Sequence, residues 1–276
     1  MNAKVLVIVG MHRSGTSMIT QWLYRCGLFI GNNLIGPAIG NEQGHFEDDD
    51  FLRLHRKFLK KRNFPDSGFI YKNSKPFQLS ELEQMELKGI IEAKSLKHDQ
   101  WGWKEPRTTL FLDEYSQLLP GAFYMVVVRN FNATVNSLIV RQHKMEEKKF
   151  QTKKGLSRLK WKWFKRKSLD QLYEKETERY LKIWIYYYER ILQHIHTLPK
   201  DRFMVVNYTE LKQNDNSFFS KIKNDWAFSL NYLPFLNVYE KKLLSKERDI
   251  SNYIANPDLK ARAMAIENEI FFNYPV

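Results

Sequence analysis

The chain predicts an α/β fold of three layers, a central and mostly parallel sheet flanked by helices, and three observations carry that reading. Val5–Val9 is an unbroken β-branched and leucine run, the pattern of a strand buried on both faces. Two further runs of the same character, Ala122–Val128 and Phe203–Tyr208, recur far along the chain. Between the runs, apolar residues repeat at helical rather than alternating spacing, and strands that alternate with helices pair in parallel.

Each element has its own local cause. The first strand enters a glycine-bounded loop, Gly10–Gly15, after which Thr16 or Ser17 starts a helix. Its Met18, Ile19, Trp22, Leu23 and Cys26 share a face, and Gly27 is its stop. Asp48-Asp49-Asp50 precedes a second helical pattern through Phe51, Leu54, Phe58 and Leu59. A third helix is expected from Ser80 to about Lys97, and a fourth carries Leu110, Phe111, Tyr115 and Leu118. Pro120-Gly121 turns the chain into the second strand, and Asn132–Val140 is helical. A long helical pattern runs roughly over Leu169–Ile195, and a final helix is expected near Leu259–Phe271. Residues 1–276 are expected to form a single domain with a basic insert or lid at about 141–168, since no repeat or Gly/Ser linker divides them.

Composition narrows the class without choosing a function. The one cysteine, Cys26, has no internal partner and sits among apolar residues, which favours a buried structural thiol. Lys4 is followed by five apolar residues only, too few for a secretion signal or a membrane span, so a cytoplasmic location is expected. Most of the net charge of +13 lies between Lys144 and Lys167, where eleven Lys/Arg meet two Glu. Such a segment suits an anionic acceptor or the inner face of a membrane, as a solvated helix with an aromatic face also would. A nucleic-acid partner is not expected. His194 and His196, two apart on a helical pattern, point to different faces and make poor metal partners.

Two motifs carry the chemistry. Gly10-Met11-His12-Arg13-Ser14-Gly15-Thr16-Ser17 has P-loop glycine spacing between a strand and a helix, where backbone N–H groups and the helix N-terminus form an anion cradle. The usual lysine is missing, with Thr16 in its place. The strand Phe123–Val128 then ends in Arg129, with Ser137 eight residues on. A metal-dependent kinase of this fold often needs an acid at such a strand end to help hold Mg²⁺. An arginine there repels a metal and attracts phosphate.

Gly-Met-His-Arg-Ser-Gly-Thr-Ser resembles the 5′-phosphosulfate loop of sulfotransferases that use 3′-phosphoadenosine-5′-phosphosulfate (PAPS), whose common form is Pro-Lys/Arg-Ser-Gly-Thr-Thr. The resemblance implies a P-loop-type fold and assigns His12, Arg13, Ser14, Gly15, Thr16 and Ser17 to donor binding, with Arg13 on the transferring sulfuryl group. Arg129 and Ser137 match the family's 3′-phosphate motif. Trp103-Lys104-Glu105-Pro106-Arg107 resembles a Lys-Asp-Pro-Arg motif of bacterial and tyrosyl-protein-type members, with Glu replacing Asp, and implies that Lys104 neutralises charge in the site, a structural ion pair being a nearly equal account. The stretch Val206–Leu211 resembles the family's Tyr-Glu-Asp/Glu-Leu and implies Tyr208 near adenine, core packing being an equal account. The resemblance spans about Val5 to Leu211. It lacks the late Gly-rich nucleotide loop of the cytosolic steroid and phenol sulfotransferases.

The implied reaction moves a sulfuryl group from PAPS to an acceptor hydroxyl, with carbohydrate the favoured acceptor class and no metal required. A base must take the hydroxyl proton. Glu47 in Gly44-His45-Phe46-Glu47 fits best, His45 is second and Glu42 third, against a competing role for Glu47 in starting the next helix. A metal-dependent P-loop kinase, and a non-catalytic nucleotide- or polyanion-binding protein on the same scaffold, are the alternatives.

Overall fold

A computed structural model describes residues 3–37, 39, 44–72, 77–151, 156–239 and 247–274; within these, the side chains of residues 151, 156–166 and 208 lie outside the described set. Four parallel strands form the sheet among the described residues: β1 (Lys4–Val9), β2 (Gln100–Lys104), β3 (Phe123–Val127) and β4 (Phe203–Val206), in the order β2-β1-β3-β4. The helices are α1 (Thr16–Arg25), α2 (Asp49–Lys61), α3 (Glu81–Ser95), α4 (Leu112–Leu118), α5 (Phe131–Gln151), α6 (Leu156–Thr197), α7 (Tyr208–Ser220) and α8 (Pro257–Asn273). A 3₁₀ turn, Pro106–Phe111, precedes α4.

The unbroken apolar run of β1 is explained by burial on both faces. Val5, Val7 and Val9 join one core with residues of α2, α3, α4, α5, α6 and α8, while Leu6 and Ile8 join another with residues of α1 and α7. Cys26 is buried in the second of these. Each fully buried aliphatic side chain contributes about 1.5–3 kcal/mol. The five from β1 alone therefore outweigh the roughly 1–3 kcal/mol that one strained loop residue costs. The sheet can hold an unfavourable backbone at its edge.

The structure adds elements that periodicity did not announce. β2 is a strand although it carries Gly102 between two tryptophans. Trp101 and Trp103, two apart, project to the same face, and Phe51 of α2 stacks on Trp103 at 4.4 Å. Gly102 pairs with Leu6 of β1, and a Cβ there would collide with the Leu6 carbonyl oxygen. The third predicted strand stops at Val206 rather than Tyr208, because Asn207 turns the chain and caps α7, its side chain accepting from the N–H groups of Thr209 and Glu210 at 2.9 and 2.8 Å. The basic segment is drawn into two helices: α5 continues to Gln151, well past Val140, and α6 begins at Leu156, ahead of Leu169. α5 and α6 pack on each other. No helix among the described residues is long and apolar enough to cross a membrane.

Candidate active site

The carboxyl ends of β1, β2 and β3 converge, and an open parallel sheet binds ligands at that edge. β1 delivers the Gly10–Gly15 loop there, β2 delivers Lys104, whose register partner is Ile8, and β3 delivers Arg129 just beyond Val127.

The loop is tightly constrained. A Cβ on Gly10 would lie 2.6 Å from the Val127 carbonyl oxygen and 2.9 Å from Ser14 Oγ, so only glycine lets β3 approach this closely. Ser14 folds the loop back, donating from Oγ to the Met11 carbonyl at 2.8 Å. Arg13 (φ 71°) and Gly15 (φ 101°) both adopt left-handed backbone, a region a residue like Arg13 enters only at a cost. α1 then starts at Thr16 with no side-chain cap and no acidic residue in its first turn. The positive end of its dipole thus faces the loop with no carboxylate of its own first turn to offset it. The cradle fits a phosphate.

The second element meets the first directly. Arg129 donates from Nη1 to the Arg13 carbonyl at 3.2 Å, and Arg13 donates from Nε to Ser137 Oγ on α5 at 3.0 Å. The Arg129 backbone is fixed from α6: its N–H donates to the Tyr188 hydroxyl at 3.2 Å and its carbonyl accepts from Trp184 Nε1 at 3.3 Å. Burial, with the nearby charges of Arg141 and Arg129, lowers the Arg13 pKa to about 10. Cations crowded in this way are relieved when an anion settles among them.

His45 and Glu47 flank Phe46 (φ 50°) in a short turn that begins at Gly44 (φ 111°). The turn is pinned to Ile35 by two backbone bonds of 2.9 Å, His45 N–H to the Ile35 carbonyl and Ile35 N–H to the Glu47 carbonyl. The helix-starting role goes to Asp48, whose side chain accepts from the Asp50 N–H at 2.9 Å and pairs with Lys94 at 2.8 Å. Glu47 is left facing the cleft. Its Oε1 lies 3.0 Å from Lys104 Nζ and 3.6 Å from His45 Nδ1. Burial alone would raise the Glu47 carboxyl, but Lys104 and His45 outweigh it and hold the group well below the usual carboxylate range. Full burial pushes the Lys104 ammonium down while Glu47 pulls it back up. Lys104 also donates to the His45 carbonyl at 2.6 Å and to Ser17 Oγ at 3.2 Å, so one ammonium ties the loop to the acid.

His12, assigned by the motif to donor binding, also lines the cleft that holds Glu47 and His45. Burial, with Arg107 beside it, lowers its pKa to about 3, so the ring is neutral, and it packs edge-on against Phe69 at 5.2 Å. The cleft encloses about 620 Å³. Beneath it lies a buried network centred on Glu105, which accepts from the Arg107 N–H at 3.1 Å, pairs with the Arg107 guanidinium, and sits 2.5 Å from His55 Nδ1. His55 Nε2 accepts from the Tyr115 hydroxyl at 2.7 Å. The side chain of Tyr208, and Glu42 altogether, lie outside the described residues.

Sequence reasoning placed Glu105 and Arg107 in a motif without a role and passed over His55 and Arg141. Arg141 was within reach, since it follows Ser137 by one helical turn on α5 and shares its face.

A parallel α/β sheet with a lysine-free phosphate loop, an arginine where metal-dependent enzymes need an acid, and a carboxylate across a cleft from that loop defines an anion-handling transferase. The family model described as "Sulfotransferase family" matches residues 6–224, and the chain belongs to that family of sulfuryl-transfer enzymes. The chain is similar to several solved structures, among them the following two. One is the sulfotransferase domain from the Synechococcus PCC 7002 olefin synthase, at 16% identity and TM-score 0.50, covering 100% of this chain and 96% of that one. The other is the sulfotransferase domain from the curacin biosynthetic pathway, at 12% identity and TM-score 0.50, covering 99% of each. At these identities the likeness speaks for the fold. No curated protein sequence matches the chain.

Proposed function

We propose that the protein uses PAPS to sulfate a hydroxyl group, with a carbohydrate as acceptor and with Glu47 as the base. The observation that supports the donor reading is the chain of contacts from Arg129 to the Arg13 carbonyl and from Arg13 to Ser137, by which the β1–α1 loop and the start of α5 lie side by side. A donor with phosphates at both the 5′ and 3′ positions needs two such elements. A metal–nucleotide complex would instead need an acid at the end of β3, where Arg129 stands.

In this reading the loop amides, Thr16 and Ser17 hold the 5′ side of the donor, and Arg129 with Ser137 holds the 3′-phosphate. The bound donor supplies a sulfuryl group activated by its anhydride link to phosphate. Glu47, ionised throughout the physiological range, takes the proton from the acceptor hydroxyl. His45, 3.6 Å from Glu47, steadies that carboxylate. Arg13 and Lys104 offset the negative charge that develops on the oxygens of the reacting group. The basic ends of α5 and α6 suit an acceptor lid or contact with an anionic membrane surface on the cytoplasmic side.

The test is titration calorimetry with 3′-phosphoadenosine-5′-phosphate (PAP), ATP and Mg-ATP on the wild type and on Arg129→Ala. Tight, metal-independent PAP binding that collapses in the variant is expected. A preference for Mg-ATP that ignores the substitution would sink the reading.

A further inference from the structure

The cleft beside Glu47 is one anion short. Four arginines line it, and three of them have carboxylate partners: Arg56 with Asp66 at 3.4 Å, Arg107 with Glu105, and Arg179 with Glu176 at 2.8 Å. Lys104 is likewise matched by Glu47 at 3.0 Å. Arg141 is the exception. Its Nε is buried and finds no hydrogen-bond partner, and no ion pair of its guanidinium is seen, among the described residues. The charge of Arg141 bears on its neighbours, helping to hold down the pKa values of both Arg13 and His12. Arg141 is only half-buried, so its guanidinium reaches the cleft, and an anion arriving there meets a cation with no carboxylate of its own.

The position of Arg141 says which ligand. The donor's phosphates already have their own cations and dipoles in the α1 N-terminus, Arg13 and the Arg129–Ser137 pair. Arg141 stands a turn beyond Ser137 and lines the cleft with Glu47, His45 and His12, the side where a hydroxyl has to meet its base. The cleft walls nearby are Phe69, Leu138, Met145 and Tyr180, so an anion here is partly shielded from water and strongly bound by a planar guanidinium. We infer that Arg141 is a specificity-determining residue that binds an oxyanion carried by the acceptor, and that the substrate is therefore a hydroxyl compound bearing a carboxylate or phosphate. This rests on the sulfotransferase reading of the same site. It assigns acceptor recognition to the cleft itself rather than to the basic segment beyond it.

The experiment titrates PAP-saturated protein with D-glucuronate and glucose, and with glycerol 3-phosphate and glycerol, by calorimetry. It compares the wild type with Arg141→Gln and Arg141→Lys and takes PAP affinity and Tm for each. Saturable binding of the anionic member of at least one pair, and not of its neutral counterpart, is expected. Arg141→Gln should weaken it by about tenfold or more while PAP affinity holds, with Arg141→Lys intermediate because it keeps the charge but loses the fork. The pair that binds tells carboxylate from phosphate. Three results overturn the assignment: no anion binding in the millimolar range, equal binding by wild type and Arg141→Gln, or a loss of PAP affinity in Arg141→Gln. A variant that melts early is judged on Arg141→Lys, where anion binding unchanged from wild type overturns it too. Failure of PAP to bind the wild type would bring down the donor reading and this inference with it, and is seen separately in the first titration.

Discussion

Arg13 donates from Nε to Ser137 Oγ at 3.0 Å, across 124 positions of sequence. This bond joins the loop after β1 to the helix after β3, so the two elements proposed to bind the donor's phosphates are held in one arrangement before any ligand arrives. In the proposed reading, removing the Ser137 hydroxyl takes away its bond to the charged 3′-phosphate, while Arg129 and the loop keep their backbone contacts. Bonds of this type are worth about 1.5–3 kcal/mol. Ser137→Ala is therefore expected to weaken PAP binding by roughly 10- to 100-fold, with little change for a ligand lacking the 3′-phosphate. Calorimetry with PAP and adenosine 5′-phosphosulfate separates the two, and equal losses for both would count against the assignment.

The Glu47–Lys104 pair sets a pH window. Glu47 has its folded pKa depressed, so its ionised form contributes stability that is fully present above the unfolded carboxylate value of about 4.3. That contribution is lost as pH falls from there through the lowered folded value. Activity should consequently keep its Glu47-dependent acid limb below about pH 4. In Lys104→Met the buried carboxylate loses its main partner, burial prevails, and the limb should move upward by at least about one unit. Breaking the pair should also cost about 3–5 kcal/mol of stability. A pH–rate profile on both proteins, alongside thermal melts, checks the pair of expectations; an unmoved limb would remove Glu47 as the titrating base.

What was legible in the sequence was whatever is encoded locally. β1, β3 and the loop between Gly10 and Gly15 were readable because a strand buried on both faces is apolar throughout and a phosphate cradle demands glycine at fixed positions. β2 was not, because the β signal of its two tryptophans is interrupted by Gly102, which is there for the Leu6 backbone of β1 lying against it. α7 was hidden for a related reason, since Asn207 converts an apparent strand end into a helix cap. At the site, Glu47 could be proposed but not separated from a capping role until Asp48 was seen to fill it. Arg141 needed three other arginines and their partners in view before its lack of one meant anything.

Gly102 offers a direct test of the hidden strand. A Cβ at this position would run into the Leu6 carbonyl oxygen, which belongs to the central strand and has no room to move. Gly102→Ala should thus destabilise the fold by about 1–3 kcal/mol through overpacking. In a chain of this size each kcal/mol corresponds to about 2–4 °C in Tm. Differential scanning fluorimetry should find a clear drop. A variant as stable as the parent would mean that β2 does not pair with β1 at this register.

Glu105 is where folding and site geometry meet. It is fully buried, and its two oxygens serve the Arg107 side chain, the Arg107 N–H and His55. Burial would raise its pKa, but Arg107 and His55 outweigh that and hold it low, so the carboxylate stays charged. Glu105→Ala leaves a buried guanidinium and an imidazole without their acceptor, and loss of one member of such a pair costs about 3–5 kcal/mol. Glu105→Gln keeps the shape and one acceptor oxygen but not the charge, so its loss should be smaller. Because Arg107 is aimed into the cleft by this carboxylate, the Gln variant should raise KM for the acceptor while leaving PAP affinity close to wild type. That split distinguishes a residue that positions Arg107 from one that merely supports the fold, since a structural defect would weaken both ligands together.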